Sequence, residues 1–168
     1  MSGCIHIYHG DGKGKTTAAL GLALRAAGHG MPVTVAQFLK SAPTGEVAPL
    51  RQLGIAVLRD ETPCGFVSQL NPAQRAALAG RQRALLARAA ARDVPGGVLV
   101  LDEVLDALRL GLVEEGAVRA LLPPAGELIL TGRQPPAFLL DAADYITQMR
   151  KERHPYDRGL GAREGVEY

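Results

Sequence analysis

His9-Gly-Asp-Gly-Lys-Gly-Lys-Thr-Thr17 follows an apolar, strand-like run, Cys4-Ile-His-Ile-Tyr8, and leads into a helix that starts near Lys15 and continues through Ala18-Ala-Leu-Gly-Leu-Ala-Leu-Arg25. Strand, glycine-rich turn and helix in that order make a phosphate-binding loop. Gly10, Gly12 and Gly14 let the chain fold tightly, so that several backbone N–H groups converge on one anion. The helix adds its unpaired N–H groups and the positive end of its dipole. Lys15 supplies a point charge for phosphates, and the Thr16 hydroxyl is placed to hold Mg²⁺.

The loop departs from the common G-x-x-x-x-G-K-[ST] pattern, whose first glycine would fall on His9. The competing reading is a Gly/Lys-rich surface turn. Lysine usage argues against it. Of 19 Lys and Arg residues only Lys13, Lys15, Lys40 and Lys151 are lysines, and two of them stand in this turn. A compact ammonium fits a phosphate nest where a planar guanidinium does not.

At 168 residues the chain is large enough for one full core, so residues 1–168 are expected to form a single nucleotide-binding domain. It is rich in aliphatics, poor in aromatics and without Trp. The net charge of +2 and the scattered arginines give little support to a nucleic-acid partner. Cys4 and Cys64 lack metal-ligand spacing; Cys4 is expected to be a buried strand residue and Cys64 a loop thiol in a reduced, cytoplasmic protein. No apolar run is long enough to span a membrane, and the N-terminus lacks the layout of a signal peptide.

Strand-like and helix-like segments alternate, which predicts an α/β fold: a mostly parallel sheet with helices on both faces. Gly28-His-Gly30 stops the first helix. Further strands are expected at 33–38, 55–58, 98–101, 127–131 and 145–148, with 40–49 a loop and 60–70 irregular. Asn71-Pro72 opens a long helix, with Asn as cap and Pro in the first position. Its arginines read as a solvated face, because Leu78, Leu85 and Leu86 provide a buried stripe. On composition alone the polar, glycine-bearing residues 154–168 read as a frayed tail.

Asp102-Glu103 follows the apolar run Val98-Leu-Val-Leu101. In a phosphate-loop protein this is the place of the acidic partner of Mg²⁺, and open parallel sheets bind ligands at the carboxyl ends of their strands. Gly10, Asp102 and Thr131 all fall at such ends. The alternative for Asp102 is a helix cap. Arg133, after Leu130-Thr-Gly132, could clamp phosphate or a carboxylate, or make a surface pair. No arginine-rich lid and no base aimed at an incoming hydroxyl are visible. Residue by residue, the chain reads as an Mg-nucleotide binder more than as a phosphoryl transferase.

Several spaced blocks together resemble the P-loop-type (RecA-like) ATP:corrinoid adenosyltransferases, which act on cob(I)alamin or cob(I)yrinic acid a,c-diamide. These are Gly10-Asp-Gly-Lys-Gly-Lys-Thr-Thr17, Gly28-His-Gly30, Gln37-Phe-Leu-Lys40, Val100-Leu-Asp-Glu103, Leu130-Thr-Gly-Arg133, Ala143-Asp144, and the ending from His154-Pro155 to Gly165-Val-Glu-Tyr168. The family lacks the first loop glycine, as this chain does. The resemblance implies transfer of the 5′-deoxyadenosyl group of ATP to the Co(I) of a corrinoid, with release of triphosphate, in adenosylcobalamin biosynthesis or salvage. ATP would lie reversed in the loop, with C5′ rather than the γ-phosphorus presented to attack.

By the same resemblance, residues 10–17 with Lys13, Lys15 and Thr17 bind the triphosphate and Asp11 lies near the nucleotide. Thr16 and Glu103 bind Mg²⁺, Asp102 supports them, and Arg133 sits close to the nucleotide. Phe66 maps onto an aromatic of the corrinoid-binding loop, where Ser68 replaces a Trp common in the family. Phe66 is equally consistent with a core anchor for an irregular loop. A flavodoxin-type reductant, a homodimer and a tail 154–168 near the site are further family expectations. The rival readings are a small-molecule kinase and a RecA-like regulatory ATPase.

Overall fold

The computed structural model describes residues 3–63 and 65–168; the expectation for Cys64 lies outside the described residues. Six strands form one parallel sheet: β1 (Ile5–His9), β2 (Val33–Gln37), β3 (Ala56–Arg59), β4 (Val98–Asp102), β5 (Glu127–Gly132) and β6 (Tyr145–Gln148). Their order is β3-β2-β4-β5-β1-β6. The helices are α1 (Lys15–Gly28), α2 (Val47–Gln52), α3 (Pro72–Ala90), α4 (Val104–Arg109), α5 (Glu115–Arg119) and α6 (Ala137–Ala142). The fold is that of P-loop NTPases.

Alternating side chains of the buried strands feed two cores, as a sheet covered on both faces requires. Val98, Val100 and Ile129 pack with Ala19, Ala23 and Ala26 of α1 and Leu50 of α2. Leu99, Leu101, Leu128 and Leu130 pack on the other face with residues of α3, α4, α5 and α6. The alanine face of α1 brings this helix close to the sheet, which sets where its N-terminus points. α3 begins as its sequence implies: Asn71 accepts from Gln74 N, the Gln74 side chain accepts from Asn71 N, and Pro72 stands in the first position.

Two expectations need correction. Residues 40–49 are not all loop, because α2 starts at Val47; Pro49 falls in its first turn, where a missing N–H costs nothing. Cys4 is half-buried just ahead of β1 rather than buried within it, with its N–H directed to Glu127 Oε1 at 3.3 Å. The strands are nearly flush at their carboxyl ends. His9 pairs with Gly132 and with Gln148, and Gln37 pairs with Asp102. The segments that follow β1, β2, β4, β5 and β6 therefore meet along one edge.

Candidate nucleotide and metal site

Between β1 and α1 the loop packs against the chain leaving β6. Gly12 N–H donates to Met149 O at 2.8 Å, and Gly10 N–H lies 3.2 Å from both Gly132 O and Arg133 O. Glycine is required at both places. A Cβ on Gly10, whose φ is +115°, would lie 2.2 Å from Met149 O, and one on Gly12 would lie 2.8 Å from it. Asp11 accepts from Lys151 N–H at 3.0 Å, a bond that holds its carboxyl below the usual carboxylate range. Gly14 takes the left-handed conformation as the N-cap of α1.

Lys15 folds back so that its ammonium donates to Gly12 O at 2.7 Å, over the loop it serves. Partial burial, and then the nearby Arg133 guanidinium, lower its pKa. Lys13 leans outward, donating to Val166 O at 2.9 Å and Glu167 Oε1 at 2.7 Å. The tail is thus folded onto the loop. Hydrogen bonds from Arg163 and Lys13 hold the Glu167 carboxyl down at about 2.

Beneath the loop, Asp102 is completely buried. Its Oδ1 accepts from Thr16 Oγ1 at 2.9 Å and from Thr131 Oγ1 at 2.7 Å. Its Oδ2 accepts from Lys40 Nζ at 2.7 Å and lies 3.5 Å from Gln37 Nε2. Because β5 intervenes between β4 and β1, Thr131 fills the gap between Asp102 and its neighbours. Asp102 is not a helix cap: α4 begins after Glu103, and no side chain caps it.

Glu103 has φ +63°, a left-handed conformation uncommon outside glycine, and its N–H is held by Thr131 Oγ1 at 2.8 Å. Desolvation, opposed by Lys40 and reinforced by Asp102, pushes its carboxyl up to about 7. A strained, partly desolvated carboxylate at the end of a strand is a common mark of a binding site.

Thr16, Glu103 and Lys40 face the same cleft, of about 1210 Å³, as Lys13, Lys15, Thr17, Arg133 and Phe66. Gly10 instead lines a smaller cleft with Asp11 and Arg133. Asp102 lies below the floor, in contact with Thr16. Phe66 is 77 % exposed on the rim, so it does not anchor its loop in the core. Arg133 N–H is fixed by Asp106 Oδ2 at 3.1 Å, which leaves its side chain at the mouth of both clefts.

Thr16, Glu103 and Asp102 offer a hydroxyl and carboxylates, the donors that suit a hard cation. They already surround one cation, the Lys40 ammonium, which is 3.2 Å from Thr16 Oγ1 and 3.8 Å from Glu103 Oε1. Gln37 Oε1 is buried and has no hydrogen-bond partner among the described residues, so an acceptor is spare beside them. No three His, Cys, Asp or Glu side chains converge to hold a metal by themselves among the described residues.

Lys40, Gln37 and Glu167 were not singled out as site residues from sequence. Lysine rarity was the available signal. Three of the four lysines bring their ammonium groups here, two from the loop and Lys40 on Thr16 and Asp102; Lys151 meets Asp11 through its backbone N–H while its ammonium pairs with Asp157. Two arginines of α3 are engaged within the protein, Arg81 on Asp60 at 2.8 Å and Arg75 on Leu110 O, which weakens support for a nucleic-acid face. No helix among the described residues is long and apolar enough to cross a membrane.

The family described as ATP:corrinoid adenosyltransferase BtuR/CobO/CobP matches residues 1–168. A corrinoid adenosyltransferase of Pseudomonas aeruginosa is 34% identical over 170 residues, covering 99% of this chain and 84% of the relative. The corrinoid adenosyltransferase of Escherichia coli K12 is 34% identical over 170 residues, covering 99% and 86%. The corrinoid adenosyltransferase CobA of Salmonella typhimurium is 34% identical over 173 residues, again covering 99% and 86%. With a match over its whole length and relatives of this similarity, the chain belongs to the ATP:corrinoid adenosyltransferase family.

Proposed function

We propose that residues 10–17 grip the triphosphate of ATP while the ribose C5′ faces the part of the cleft bordered by Phe66, where the corrinoid docks. The enzyme is an ATP:corrinoid adenosyltransferase acting in adenosylcobalamin formation. The Co(I) electron pair attacks C5′, a cobalt–carbon bond forms, and the C5′–O bond breaks with its electrons leaving on the triphosphate. Co(I) has no proton to lose, so no general base is needed. The observation that carries this reading is one cleft lined both by Lys13, Lys15, Thr16 and Glu103 and by the exposed Phe66. At about 1210 Å³ it exceeds the roughly 300–1,000 Å³ of ordinary small-molecule pockets, as two substrates require.

Each group has a task that follows from its position. The loop N–H groups, Lys13 and Lys15 stabilise charge that grows on the leaving triphosphate. Thr16 and Glu103 hold Mg²⁺, and Asp102 orients Thr16 through the 2.9 Å bond. When bound, Mg²⁺ supplies further neutralisation of the departing phosphates. Asp11 and Arg133 border the nucleotide, and Phe66 gives an apolar contact to the corrinoid ring. A flavodoxin-type donor of electrons to cobalt and assembly as a homodimer complete the proposal.

The test is product identity. The protein is incubated with ATP, Mg²⁺ and chemically reduced cobalamin, and phosphorus products are resolved by ³¹P NMR. Inorganic triphosphate together with a new cobalt–carbon chromophore supports the reading; ADP and a phosphorylated acceptor, or ADP and orthophosphate alone, reject it.

A further inference from the structure

Lys40 has an ammonium at the centre of the oxygen groups assigned above to the metal. It lies 2.7 Å from Asp102 Oδ2, 3.2 Å from Thr16 Oγ1 and 3.8 Å from Glu103 Oε1. The placement is built rather than incidental. Phe38 N–H is tied to Asp102 O at 2.9 Å, and Leu39, at φ +60°, has its N–H held by Gln82 Oε1 at 3.1 Å. Arg59 Nη2 fixes Lys40 O at 3.3 Å. Chain segments on both sides of the Lys40 side chain are therefore anchored, and only the four-carbon stem remains adjustable.

A buried carboxylate needs a counter-charge, and Asp102 finds its own in Lys40. Thr16 Oγ1 gives its proton to Asp102 and turns a lone pair to Lys40. That lone pair cannot serve an ammonium and a divalent cation together, because the two charges would stand within contact distance of one another. Lys40 also lines the cleft, so an anion arriving there gives its ammonium somewhere to go.

We propose that Lys40 is a tethered cation that competes for the metal position through its contacts with Asp102, Thr16 and Glu103, so that a divalent cation enters only with a polyphosphate that draws the ammonium away. Free metal is excluded, and Lys40 becomes a further contact to the triphosphate. The inference rests on the assignment of Thr16 and Glu103 as metal ligands. It identifies the entering species as metal–polyphosphate rather than metal and nucleotide in either order.

The test uses the unaltered chain labelled with [¹³Cε]lysine, which carries only four lysines and so gives four signals. The Lys40 signal is assigned by its loss in Lys40→Met. It is expected to stay in place when millimolar Mg²⁺ is added alone, and to move when Mg²⁺ is added with a non-hydrolysable ATP analogue. A shift with Mg²⁺ alone, or none with Mg²⁺ and analogue, overturns the proposal. A second measurement titrates Mn²⁺ by EPR without nucleotide. Lys40→Met should bind Mn²⁺ at least tenfold tighter than the parent chain, and adding Glu103→Gln should cancel that gain. Equal affinity in parent and Lys40→Met, or a gain that survives Glu103→Gln, is the contrary result. Should Lys40→Met not fold, the lysine signals are assigned instead from Lys13, Lys15 and Lys151 variants and the NMR test stands unchanged. The ligand assignment is judged separately: Mn²⁺ binding in the presence of the analogue should weaken in Glu103→Gln alone. If that holds while the lysine result fails, only the role of Lys40 falls.

Discussion

Thr131→Val is the most direct perturbation of the polar knot beneath the loop. Thr131 is 1% exposed, and its hydroxyl does two things at once. It donates to the buried Asp102 carboxylate at 2.7 Å and accepts the Glu103 N–H at 2.8 Å. Valine has nearly the same shape, so packing is preserved and only the oxygen is lost. A hydrogen bond to a charged group contributes about 1.5–3 kcal/mol, and a buried donor left unsatisfied costs about 1–3 kcal/mol. One atom serves both bonds, so the two figures overlap, and a loss of about 3 kcal/mol is expected. For a chain of this size that corresponds to a fall in Tm of about 6–12 °C. Urea denaturation gives the free energy and a thermal melt the second reading. Thr131→Ser keeps the oxygen and should recover most of the loss. Less than about 0.5 kcal/mol lost in Thr131→Val, the range of ordinary surface changes, would refute the claim that Thr131 holds Asp102 and Glu103 together.

Lys15→Ala removes the charge that the proposed mechanism directs at the leaving group and should lower kcat with reduced corrinoid by about 10²–10³-fold, as loss of one preorganised donor does elsewhere; near-normal turnover would contradict the proposed role. Phe66→Ala should slow turnover from Co(II) with an enzymatic reductant more than turnover from pre-reduced Co(I), and an equal loss in the two assays would instead indicate a general packing role. Asn71→Ala removes the cap of α3 and should cost about 1 kcal/mol in urea denaturation without altering nucleotide affinity; an unchanged midpoint would show the capping box to be dispensable.

The strand ends and the loop were legible because their signals are local. Gly10, Gly12 and Gly14 mark the turn, and four apolar residues before Asp102 mark a central strand. The cap at Asn71 is encoded within three residues of itself. Helix α2 was not, since its proline-containing start resembles a loop and its support comes from packing of Leu50 against the sheet. Lys40 lies 24 residues from Thr16 and 62 from Asp102, so no local pattern reveals the cluster. The Lys13–Glu167 contact spans 154 residues and arises from the fold alone. Phe66 shows the reverse case: its chemistry was visible, but exposure decided between rim and core.

The central claim concerns which atom of ATP the loop leaves open to attack. A crystal structure of the complex with Mg²⁺ and a non-hydrolysable ATP analogue measures it directly. The triphosphate is expected on residues 10–17 with C5′ turned toward the side of the cleft that carries Phe66. A γ-phosphorus facing that space, with the ribose buried against the loop, would contradict the account.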